Sequence, residues 1–71
     1  MAARDVLKLL RELGPTHFSK IWVMLLQAYM LRVTNVKDIC VDLAKTGKLE
    51  NTWGGGTRKP RDEDVIKVKI S

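Results

Sequence analysis

The 71-residue chain predicts a small, mainly helical α+β domain, with three helices followed by a two-stranded hairpin. Three observations carry this reading. Apolar residues recur at spacings of three and four through the first two thirds, the period of a helix. The last third alternates apolar and polar residues singly, the period of a strand. Glycine or proline marks three of the boundaries, at Gly14-Pro15, at Gly47 and at Gly54-Gly55-Gly56.

The first helix is predicted over Ala2–Leu13. Val6, Leu9, Leu10 and Leu13 form its apolar stripe, and Arg4, Lys8, Arg11 and Glu12 take most of the other face. Gly14 suits the residue after the helix end, and Pro15 prevents continuation. Thr16 reads as the N-cap of a second helix, from about His17 to about Met30. That helix leaves almost no polar face. It is either the central helix, covered by everything else, or one of its stripes meets a second chain. Trp22 and Tyr29 share a face and are the first candidates for a dimer contact.

A short break at Arg32-Val33 precedes a third helix, Val36 to Lys45 or Thr46, capped by Thr34 or Asn35. Asp38 then falls in its first turn, where a carboxylate favours the helix dipole. Val36, Ile39, Cys40 and Leu43 make the inner face, and Gly47 ends the helix. Beyond it, Leu49, Asn51 and Trp53 alternate with Glu50 and Thr52, and Ile66, Val68 and Ile70 with Lys67 and Lys69. Alternation on both sides of the turn-rich stretch Gly54–Glu63 predicts a hairpin with a long loop. Trp53 is expected to anchor the start of that loop against the core.

Composition narrows the function. Thirteen Lys and Arg against eight Asp and Glu give a net charge of +5, which favours polyanionic partners. The lone Cys40 has no disulfide partner within the chain and reads as a small buried hydrophobe in an intracellular, cytoplasmic protein (on the nucleoid, for a prokaryotic source). The apolar run Ile21–Leu31 falls well short of the ~20 residues that span a bilayer, so no membrane role is expected. His17 is the only histidine, and no set of residues has the spacing of a metal site or of a nucleophile with its base. An enzyme is therefore not expected, and no cofactor or metal is implied. The 71 residues are read as a single domain.

The order of elements resembles the winged helix-turn-helix superfamily of DNA-binding domains. The resemblance rests on residues 31–70. The spacing Val36, Leu43, Gly47, Leu49 is similar to that superfamily's third helix and the glycine that opens its first wing strand. Val33-Thr34 looks like the apolar-then-hydroxyl turn before that helix. What the resemblance implies is a third helix lying in the major groove, with Asn35, Lys37, Asp38, Val41 and Lys45 facing the duplex. The wing would lie along the backbone or in the minor groove through Thr57, Arg58, Lys59 and Arg61.

The loop is the stronger of the two signals. Arg58, Lys59 and Arg61 read as a cationic finger available to phosphates, or as a solvated loop offset by Asp62, Glu63 and Asp64. On the third helix, Asp38 and Asp42 cancel Lys37 and Lys45. Basic contacts are then expected chiefly from the wing, from Lys48, and from Lys20 or Arg32. The leading expectation is a non-enzymatic double-stranded-DNA-binding protein, transcription-related or chromatin-associated, forming a homodimer through the second helix. Two alternatives stand beside it: a winged-helix protein-interaction module of a larger assembly, and an RNA- or ribosome-binding protein, since phosphate charge is common to both nucleic acids.

Overall fold

The computed structural model describes residues 2–54 and 58–69. Among these, the chain forms α1 (Ala2–Leu13), β1 (Thr16–His17), α2 (Phe18–Tyr29), α3 (Val33–Lys45) and β2 (Val65–Ile66). The layout is that of a winged-helix-like α+β domain, as the alternating periods predict.

The core draws on every part of the chain. Val6, Leu7 and Leu10 come from α1, Phe18, Ile21 and Leu25 from α2, and Val36, Cys40 and Leu43 from α3. Leu49, Trp53 and Ile66 close it from the C-terminal third. Full burial of each such side chain contributes about 1.5–3 kcal/mol, so a chain this small depends on all of them. The α3 helix packs against both other helices. Burial pushes the Cys40 thiol up to about 12, so it stays protonated and inert at neutral pH.

Two helix ends follow their local signals. Gly14 lies at φ 75°, and its N–H donates to Leu10 O at 2.8 Å, closing α1 in a single αL turn. At the end of α3, Lys48 N–H donates to Leu43 O at 2.9 Å and Gly47 N–H to Ala44 O at 3.1 Å. With Gly47 at φ 77°, this is a Schellman motif.

The helix starts differ from the sequence expectation. Thr16 does not cap α2: it belongs to β1, and its hydroxyl donates back to Gly14 O at 2.9 Å. The N-cap is His17, with no side-chain cap bond. The α3 helix begins at Val33, three residues earlier than expected, with Arg32 as N-cap. Thr34 and Asn35 are thus inside its first turn rather than capping it, and Val33-Thr34 is helix rather than the turn before it. Asp38 falls beyond the first turn, so it does not compensate the α3 dipole. The early start becomes possible because Met30 takes the left-handed conformation, φ 58°, and reverses the chain within three residues.

Of the expected hairpin only a single bridge at its base is present among the described residues: residues 51–53 form no strand, and the two-stranded sheet pairs β2 with β1 instead. Leu49 bridges Val68 antiparallel, with Glu50 N–H donating to Lys67 O and Lys69 N–H to Lys48 O, each at 3.1 Å. The same C-terminal strand also pairs with β1, Thr16 opposite Ile66 and His17 opposite Val65. Asp64 O accepts from Phe18 and Lys67 O from Glu50. Carbonyls an odd number of residues apart point to opposite edges of an extended strand, so the two partners flank it on either side. Ile70, expected at the end of this strand, lies outside the described residues.

Candidate nucleic-acid interface

At 100° per residue, burying Val36, Cys40 and Leu43 turns Thr34, Asn35, Asp38, Asp42 and Lys45 outward. Asp38 lies near the middle of that exposed face. Lys37 and Val41 sit at its margin, half-buried, so they are not fully presented to a ligand. Lys48 is exposed at the start of the hairpin.

The loop reaches this face. Lys59 Nζ lies 3.0 Å from Asp38 Oδ1, with the two side chains 55% and 60% exposed. The two elements singled out in the sequence, the third helix and the basic loop, are therefore brought side by side. Arg58 and Arg61 are exposed, and neither side chain is in an ion pair among the described residues. The Arg58 side chain lies across Gly54. A Cβ at Gly54 would come within 3.3 Å of Arg58 Cδ, and the φ of 100° already favours glycine there. Thr57, the remaining predicted wing residue, lies outside the described residues.

The second half of the loop is not a projecting finger. Pro60 is fully buried. Phe18 N–H donates to Asp64 O at 2.8 Å and Ser19 N–H to Asp62 O at 3.3 Å. The Trp22 indole N–H donates to Asp62 Oδ1 at 3.0 Å, and His17 Nδ1 lies 3.1 Å from Glu63 O. Arg61 N–H donates to Asp64 Oδ2 at 2.7 Å, and Asp64 N–H returns a bond to Arg61 O at 3.0 Å. The first amides of a helix need acceptors, and its N-terminus favours negative charge. With Thr16 taken into β1, residues 62–64 supply what a local cap would have supplied. Asp62 and Asp64 are therefore structural, and neither makes an ion pair with Arg58, Lys59 or Arg61 among the described residues.

Sequence reasoning missed this cap, since the two partners are about forty residues apart. The only available signal was the run Arg61-Asp62-Glu63-Asp64, which places three carboxylates just before a strand.

The two expected dimer residues separate. Trp22 is half-buried and engaged with Asp62, whereas Tyr29 is 51% exposed. Beside Tyr29 stand Leu26 and Met30, the latter 85% exposed. Lys20 and Arg32 are exposed at opposite ends of α2. Among the described residues, no helix is long and apolar enough to cross a membrane.

No family model, curated protein or solved structure matches the chain.

Proposed function

We propose that this chain is a cytoplasmic, non-enzymatic protein that docks on duplex DNA through the outward face of α3 and the basic loop beside it, in a transcription-related or chromatin-associated role. The observation that supports it is the Lys59–Asp38 contact. It sets the loop against the exposed helix face, and it offsets a carboxylate whose negative charge would otherwise disfavour approach of the duplex. Arg58 and Arg61 flank this contact in sequence and supply charge to the backbone, with Lys45 and Lys48 extending the basic edge. Such contacts act through counterion release and carry little sequence information by themselves.

The test is a titration of the full chain against duplex DNA, single-stranded DNA and structured RNA at several salt concentrations. Replacing Arg58 and Arg61 together by Ala lowers the log–log salt slope on duplex by about 2, near 0.9 per phosphate contact. An unchanged slope and affinity would overturn the reading. Tighter binding to structured RNA would move the proposal to that polyanion.

A second reading is supported by the outer stripe of α2. Leu26, Tyr29 and Met30 are 44%, 51% and 85% exposed, and Tyr29 borders a groove where Leu9, Met24 and Ala28 are rimmed by Asp5, Lys8 and Glu12. Exposed apolar residues gathered on one face mark an interaction surface, and here the winged-helix-like body would serve as a scaffold for a homodimer or for a protein partner. Light scattering decides between them: Leu26→Asp converts a dimer to a monomer, or leaves a monomer unchanged.

A further inference from the structure

We propose that Asp38 and Lys59 act together as a reader of a G·C base pair in the major groove. The inference rests on the DNA-docking reading and adds to it a base preference that phosphate contacts cannot provide.

Asp38 sits on the side of α3 opposite Val36 and Cys40, near the centre of the exposed face. On a helix entering the groove, that position meets base edges rather than the sugar–phosphate walls. Lys59 comes from a different element and arrives beside it, Nζ to Oδ1 3.0 Å. A lysine ammonium has three N–H donors. With one directed at Oδ1, two remain. The ion pair engages Asp38 through Oδ1, which leaves Oδ2 as an acceptor. The pair therefore presents two donors beside one acceptor.

The major-groove edge of a G·C pair presents the complement: the N7 and O6 acceptors of guanine beside the N4–H donor of cytosine. An A·T pair orders its groups differently, with the adenine N6–H donor between the N7 and O4 acceptors and the thymine methyl beyond. Two hydrogens on one nitrogen reach adjacent acceptors and not separated ones, so the pair favours G·C. Neither residue suffices alone. Asp38 without Lys59 repels the duplex, and Lys59 without Asp38 is a mobile charge drawn to phosphates. An exposed ion pair is weakly held in water, so it can settle onto a base edge at little cost.

The test uses the full chain, a duplex library with a randomised central segment, and the variants Asp38→Ala and Lys59→Met. Both side chains are exposed, and circular dichroism checks that each variant keeps its helices. Sequences recovered by the unaltered chain should contain a position at which G·C exceeds A·T by about tenfold. Each variant should bring that position close to parity. Asp38→Ala should do so without weakening total duplex binding, since it removes a negative charge. Recovery at the composition of the input, with a normal salt slope, overturns this inference and leaves DNA docking standing. So does a G·C preference that survives in either variant. Recovery of no duplex at all overturns both.

Discussion

The two halves of α2 are nearly indistinguishable in composition and opposite in fate. Phe18, Ile21 and Trp22 open the helix, and Leu26, Tyr29 and Met30 close it. The first half is covered on its inner side and at its N-terminus: Phe18 and Ile21 are fully buried, and residues 60–64 lie over the start of the helix with hydrogen bonds to the Phe18 and Ser19 amides and the Trp22 indole. In the second half only Leu25 reaches the core; Leu26 and Tyr29 are exposed, and the C-cap Met30 is held in the left-handed region with its side chain in solvent. Hydrophobicity alone therefore does not say where the core lies. What differs is whether another part of the chain arrives to cover the residue.

The largest effect that can break this comparison is on stability. Phe18→Ala should cost about 3–5 kcal/mol, enough to unfold a domain of this size, whereas Leu26→Ala should cost below about 1 kcal/mol. Equal urea midpoints for the two variants would show that the second half is covered in solution. A smaller effect sharpens the role of residues 62–64. Trp22→Phe keeps an aromatic ring but removes the N–H together with part of the indole surface, and should cost about 1 kcal/mol or more. Combining it with Asp62→Ala in a double-mutant cycle should recover a coupling of the same size, and purely additive losses would show that the bond does not hold the loop. Smallest is Met30→Asn. Asparagine tolerates the left-handed conformation better than methionine, so thermal unfolding should shift upward by the equivalent of a few tenths of a kcal/mol to about 1 kcal/mol. A downward shift would show that the Met30 side chain is buried in an assembly and contributes there.

Much of the fold was legible. The limits of α1 follow from a stripe of Val6, Leu9 and Leu10 and a glycine that takes φ 75°, both of which are local. The C-terminus of α3 is marked in the same way by Gly47. The start of α3 was not legible, because a methionine rather than a glycine takes the left-handed turn, and nothing in its identity signals that. The β1 strand was missed because two residues are too few to show a period. In the candidate site, the cationic character of Arg58, Lys59 and Arg61 was readable, but the position of Lys59 on Asp38 was not.

The sequence by itself settled the charge, the faces of each helix and the alternation of the C-terminal strand, because these depend on residues within a few positions of one another. The tertiary structure alone decided which apolar face is covered, which backbone caps α2 and which carboxylate meets Lys59. Those outcomes depend on contacts between residues more than twenty positions apart, fixed only when the core of α1, α2 and α3 brings the C-terminal third across it.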